Sequence, residues 1–366
     1  MHKILLVGGA GYVGSVLTHE LLERGYAVRV VDRLLYGDRG LADVRDRVEL
    51  IIADMRRVEP AHLAGVDAVI NVGGLSNDPT AEYNPVANYE MNTTAAVRLA
   101  ELARTAGVRR YILASSCSIY DVGVSDDHCD VICDETAEVH PRAAYARSKY
   151  EAEQRILAMA GADFCPVVLR KGTVFGFSPR LRFDLVVNTF VRDALTNSTI
   201  VLFRGGEMWR PLVDVHDVAR AYIACVAAEE TAVNGQIFNV ATCNMRISEL
   251  ALRVRTTLRA LGVATDIRPD YAYRGVRSYR VSTSKIERVL GFKPVVSVED
   301  AVHDLIDQIR QRQLENLNDP QYYNLRWLRL LEEAQTILGA GRSIFDAPED
   351  AAVSRLVVAS GRRGQR

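Results

Sequence analysis

Tyr145 and Lys149 stand four residues apart in the run Tyr145-Ala146-Arg147-Ser148-Lys149, and Ser116 lies upstream of them. On a helix that spacing puts both side chains on one face. There a lysine ammonium favours the ionised phenol and can hold its pKa down. A serine hydroxyl bonded to the same substrate oxygen completes a site that moves a proton; beside a nicotinamide, such a site oxidises an alcohol or reduces a ketone. Alone, Tyr-x-x-x-Lys usually marks no more than an exposed helical pair. The glycine-rich opening of the chain, Gly8-Gly9-Ala10-Gly11-Tyr12-Val13-Gly14, makes that bland reading a poor one here.

Gly8, Gly11 and Gly14 follow an apolar run, Lys3-Ile4-Leu5-Leu6-Val7, and open a helical pattern. In a strand–turn–helix context such glycines let the backbone and the helix N-terminus approach a pyrophosphate, and Tyr12 and Val13 in the same turn are expected beside the dinucleotide. Asp32 ends the second apolar run, where a carboxylate suits the ribose hydroxyls of NAD and repels the extra phosphate of NADP. Arg33 beside it points the other way, since an arginine can accommodate that phosphate. NAD is the favoured cofactor. Asp54, ahead of Met55-Arg56-Arg57, either accepts from an adenine amino group or caps a helix. Val72, Gly73 and Gly74 end a further strand, where small residues let the cofactor lie against backbone. Asn92 falls inside a helical pattern, against its propensity, which suggests a functional hydrogen bond.

The elements that must position these groups are legible in the first half of the chain. Strands are expected over 3–7, 27–31, 48–52, 68–72, 110–114 and 165–170, alternating with helices over 14–24, 88–105 and 145–160. That alternation predicts an α/β fold of Rossmann type: a doubly wound parallel sheet with helices on both faces and a ligand crevice at the strand carboxyl ends. After Gly176 the pattern loosens. Helices over 183–197, 215–228, 248–261 and 298–313, with short strands over 200–203, 236–240 and 266–269, predict a smaller mixed α/β substrate lobe over 177–314, interleaved with the cofactor domain of 1–176. Residues 315–366 read as a helical extension, with a helix over 327–337 and a disordered end over 361–366.

Composition narrows the class. The chain has 366 residues, 48% hydrophobic and 25% charged, with a net charge of -1, which gives no global bias toward nucleic acid or an anionic membrane. No apolar run is long enough to span a bilayer, and the first strand leaves no room for a cleavable signal. Six scattered cysteines do not form a secreted disulfide framework. The expectation is a cytoplasmic enzyme. The loop over 126–135 holds His128, Cys129 and several carboxylates, but its spacing matches no common zinc pattern, so no metal is expected.

Several blocks in one order resemble the extended short-chain dehydrogenase/reductase family, in particular its nucleotide-sugar epimerase and dehydratase branch. They are the N-terminal glycine turn, Asn71-Val72-Gly73-Gly74, Ser115-Ser116-Cys117-Ser118-Ile119-Tyr120, Tyr145-Ala146-Arg147-Ser148-Lys149, Leu169-Arg170-Lys171-Gly172-Thr173-Val174-Phe175-Gly176, and Arg210-Pro211-Leu212-Val213-Asp214. The resemblance runs from Lys3 to about Gln313. It implies Ser116, Tyr145 and Lys149 as the catalytic trio, with Tyr145 the base on a sugar hydroxyl, usually at C4, and Lys149 also on the nicotinamide ribose. It implies a nucleotide-diphosphate sugar as substrate, with Arg210 on the diphosphate and Arg277 as a second phosphate contact. Ser76, Cys117, Ser118, Lys171, Thr173, Arg182 and Asn188 complete the expected substrate contacts. Family habit further implies a homodimer built through the helices over 88–105 and 145–160.

The pair after Ser116 discriminates within the branch. Sugar 4,6-dehydratases carry an acidic pair there, and uronic-acid decarboxylases a glutamate nearby; here the pair is Cys117-Ser118. Small uncharged residues resemble the 4-epimerases, which need only oxidise C4, turn the keto sugar over and return the hydride. A thiol of lowered pKa at Cys117 would open a second route, as a ketoreductase, an atypical dehydratase or a C3/C5 epimerase, whereas a small apolar filler is the plainer reading. Lys171, Arg180 and Arg182 are further candidates for anion contact.

Overall fold

The computed structural model describes residues 2–121, 131–139, 141–272, 277–339, 341–347 and 355–357. Seven parallel strands form its central sheet: β1 (Lys3–Val7), β2 (Ala27–Asp32), β3 (Glu49–Ile52), β4 (Ala68–Asn71), β5 (Arg110–Ser116), β6 (Cys165–Lys171) and β7 (Gln236–Val240). Their order is β7-β6-β5-β4-β1-β2-β3, every neighbouring pair running parallel. A short strand, Arg355–Val357, adds antiparallel to β3. Apolar runs such as Ile4-Leu5-Leu6-Val7 are buried throughout, because helices cover both faces. Leu17, Leu21 and Tyr222 pack on one side, and Leu99, Val168 and Ile156 on the other.

Strand order reverses between β1 and β4, so the loops after these two strands part and leave a crevice above them. The glycine turn follows β1 and Gly73-Gly74 follows β4. The smaller lobe sits over this crevice. Its core joins helices Val186–Asn197, Ile247–Ala260 and Val298–Gln311 around Val191, Leu250 and Leu305. Among the described residues no helix is long and apolar enough to cross a membrane.

Gln236–Val240, one of the short strands expected after Gly176, is the outer strand of the main sheet, paired with β6 from Gln236↔Val167 to Val240↔Lys171. Two elements differ from the sequence expectation. The helix expected over 88–105 starts earlier, at Pro85, and is interrupted by a π-helical turn over Glu90–Thr94 before Ala95–Thr105. The helix expected from 183 starts at Val186, because the Phe183 amide is taken by the Tyr322 carbonyl at 2.9 Å and Asp184 holds Arg182. The loop 122–130 and the terminal 361–366 lie outside the described residues.

Candidate active site

Two adjoining cavities occupy the crevice. The narrower runs along the β1 and β4 loops and is lined by Gly8, Gly11, Tyr12, Val13, Gly14, Asp32, Arg33, Asp54, Met55, Val72, Gly73 and Gly74. Gly8 has φ +84°, and a Cβ on it would sit 2.8 Å from the Gly73 backbone; the two loops touch only because neither residue has a side chain. A Cβ on Gly14 would collide with the Gly8 carbonyl, so the helix Tyr12–Glu23 can begin directly under the turn with its N-terminus facing the cavity. Asp32 accepts from the Ala10 amide at 2.9 Å and the Leu34 amide at 2.8 Å. Burial raises its pKa against those two bonds, and lone pairs remain for a ribose hydroxyl. This cradle fits a dinucleotide.

Other expected cofactor contacts are spent inside the protein. Asp54 caps the turn Met55–Arg57 and takes Arg56 through both carboxylate oxygens, at 3.0 and 2.9 Å, with Arg33 at 3.3 Å. Arg33 is thereby turned toward Asp54. Asn92 lines neither cavity. It donates to the Leu75 carbonyl at 2.9 Å and to Asn88 at 2.7 Å, and its oxygen lies against Gly74, where a Cβ would collide with it. The π-helical turn brings this amide under the β4 loop, so Asn92 shapes the cradle from behind.

The wider cavity, about 560 Å³, is lined by Ser116, Tyr145 and Lys149, and also by Ser76, Ser118, Lys171, Thr173, Arg182, Arg210 and Arg277. Tyr145 and Lys149 project from the helix Ala144–Leu157, and Ser116 ends β5, where its hydroxyl accepts from the Ser118 amide at 3.1 Å. The three groups expected to move a proton thus share one chamber, contiguous with the dinucleotide cradle through Tyr12, Val72, Gly73 and Gly74.

The electrostatics depart from expectation at the phenol. Burial first, then the Asp78 carboxylate, push the Tyr145 pKa up, with Arg182 and Arg277 opposing; the phenol is not held down by its lysine. Lys149 Nζ lies 5.9 Å from the ring centroid and is itself desolvated, its pKa lowered to about 8 by burial against the attraction of Glu153. Glu153 is fully buried one turn further on, accepting Arg170 at 3.0 and 2.7 Å and the Ser115 hydroxyl. Lys171, in register with Ser116 on the neighbouring strand, donates to the Ser115 carbonyl at 2.8 Å. Burial, with Lys149 nearby, lowers its pKa to about 7.

Two expected substrate contacts fall outside the chamber. Cys117 is fully buried, gives its thiol to the Arg170 carbonyl at 3.0 Å, and has its pKa raised by burial. Its side chain points into the core, which removes it as an acid or base on the sugar. Asn188 is likewise buried and spends its amide on the Gly176 carbonyl at 2.9 Å, the Arg182 carbonyl at 2.8 Å and the Gly176 amide at 3.0 Å, bracing the loop that carries Arg182. Arg180, a candidate for anion contact, and residues that the sequence did not single out line the site too. Arg180 stacks on Tyr36 at 4.0 Å in the narrow cavity, Asp78 pairs with Arg277, and Asn324, Arg326 and Arg329 arrive from the extension.

The sequence profile of the NAD dependent epimerase/dehydratase family matches residues 4–241. The chain belongs to this family. As a member it is an NAD-dependent enzyme. Among curated relatives, UDP-glucuronic acid decarboxylase 1 of Xenopus tropicalis is 26% identical over 87% of this chain and 75% of its own length. A putative UDP-glucose 4-epimerase of Methanocaldococcus jannaschii is 24% identical over 84% and 98%. The solved UDP-glucose-4-epimerase of Stenotrophomonas maltophila, with bound NAD and formylated UDP-arabinopyranose, superposes with a TM-score of 0.77 over 86% of this chain and 100% of its own, at 22% identity. At that identity the likeness speaks for the fold alone.

Proposed function

We propose that the protein is a nucleotide-sugar 4-epimerase. The observation that carries this reading is the chamber holding Ser116, Tyr145 and Lys149 with no carboxylate in the pair that follows Ser116: Cys117 is turned into the core and Ser118 is neutral. Dehydration needs a further acid or base at the sugar, whereas epimerisation needs one proton shuttle. NAD bound in the cradle supplies the acceptor and donor of hydride. Tyr145 takes the proton of the C4 hydroxyl and later returns it, Ser116 holds the same oxygen, and Lys149 stabilises the phenolate. Because burial raises the phenol, proton removal depends on positive charge at Lys149 and on substrate filling the chamber.

Substrate entry past Arg210 and Arg277 suits a diphosphate. Arg210 is held by the Trp209 carbonyl at 2.8 Å and by the Arg277 carbonyl, and lies over Tyr279, which presets its guanidinium for two oxygens. Val86 and Tyr89 are exposed near the helix carrying Tyr145, and the reading includes a homodimer through that face, testable by sedimentation. A cytoplasmic setting belongs to the same reading, which the five free thiols among the described residues suit.

The deciding experiment replaces Tyr145 with Phe. Turnover of a nucleotide sugar should fall by about 10²–10⁴-fold while the purified protein keeps its NAD. Wild-type protein should interconvert two sugar nucleotides without net use of coenzyme; a product lighter by one water, or consumption of reduced coenzyme, would sink the epimerase reading.

A further inference from the structure

Beyond the part matched by the family profile, the chain returns across the mouth of both cavities. The Asn324 amide donates to Asp184 at 3.1 Å and its side chain to Ser76 at 2.7 Å. The Trp327 indole donates to the Leu35 carbonyl at 2.6 Å, and Leu328 is fully buried in the core beside the sheet. These anchors seat the helix Asn324–Ile337 so that Asn324 lines the narrow cavity, and Leu325, Arg326 and Arg329 line the wide one.

The charge of the wide cavity is lopsided. Seven basic and two acidic side chains line it, in a chain whose net charge is -1. Both acids are already paired, Asp184 with Arg182 and Asp78 with Arg277. The two arginines of the returning helix lie over tyrosine rings, Arg326 at 4.3 Å from Tyr323 and Arg329 at 5.2 Å from Tyr83. Neither pairs with a carboxylate among the described residues. Ring stacking holds a guanidinium in place while leaving its N–H donors free for oxygen acceptors.

We propose that the helix Asn324–Ile337 is part of the substrate site and that Arg326 and Arg329 bind the phosphates of the nucleotide substrate. The assignment rests on the nucleotide-sugar reading above and deepens it: an element outside the shared family core supplies the outer anion clamp. Both side chains are exposed, so they act at the rim, capturing the ligand with salt-sensitive attraction.

The test is calorimetric titration of the full-length, NAD-loaded protein with UDP, dTDP, GDP, CDP and ADP. Wild type should bind at least one of them. Arg326→Ala/Arg329→Ala should weaken that nucleotide by about tenfold at low salt, with the gap closing as salt rises, and should leave NAD content unchanged. Arg253→Ala/Arg259→Ala removes the same charge away from the cavity and should leave affinity as in wild type. Equal affinity in the first variant, or an equal loss in the second, overturns the assignment of the helix alone. No binding of any nucleoside diphosphate by wild type removes the nucleotide-sugar reading, and this inference with it.

Discussion

Lys149 is where function and stability pull against each other. Its pKa of about 8 lies below the ordinary 10.5, so folding releases its proton more readily than the unfolded chain does. The penalty is present in full below about pH 8 and fades as pH climbs toward the unfolded value. Lys149→Met should therefore raise stability by about 2–3 kcal/mol at neutral pH, seen as a higher denaturation midpoint, while abolishing turnover. In the wild type, loss of the ammonium above about pH 8 should cut kcat with an alkaline limb. A flat profile from pH 7 to 10 would show that its charge does not matter. The same residue scale explains a failed expectation: spacing alone could place a lysine beside a tyrosine, but burial, which no spacing encodes, decides that the phenol is raised.

At the scale of elements, the loops after β1 and β4 form one device. Gly8 and Gly73 meet because neither bears a Cβ, and Asn92 ties the second loop down through the Leu75 carbonyl. Gly8→Ala should cost about 1–3 kcal/mol from its left-handed backbone and the clash, and purified protein should lose bound NAD; retained NAD at wild-type stability would contradict the contact. The strand–turn–helix signal made this device readable, because local glycine chemistry sets it. Asn92 was only half readable. An asparagine in a helix announces a reason, but whether the amide meets ligand or loop depends on a π-helical turn that propensity does not reveal. Cys117 and Asn188 were misplaced for the same reason: proximity in sequence to Ser116 or Arg182 does not say which way a side chain turns.

Across the whole molecule, the extension ties the smaller lobe to the central sheet. Phe183 is bonded to Tyr322, Leu328, Ile344 and Phe345 enter the core beside the sheet, and the Phe345 carbonyl accepts Arg56 at 2.9 Å. Leu328→Ala should cost about 2–5 kcal/mol and speed NAD loss, measured by thermal denaturation and by cofactor release after dilution; unchanged release would mean the extension does not hold the cleft. Sequence periodicity found a helix here and left it without a task. By itself the sequence determined the Rossmann sheet and the glycine turn and nominated the serine–tyrosine–lysine trio, because apolar periodicity, turn glycines and i,i+4 spacing are local properties written in consecutive residues. Only the tertiary structure decided that the phenol is desolvated, that Cys117 faces the core, and that distant arginines line the wide cavity, since burial and convergence arise from contacts between segments far apart in the chain.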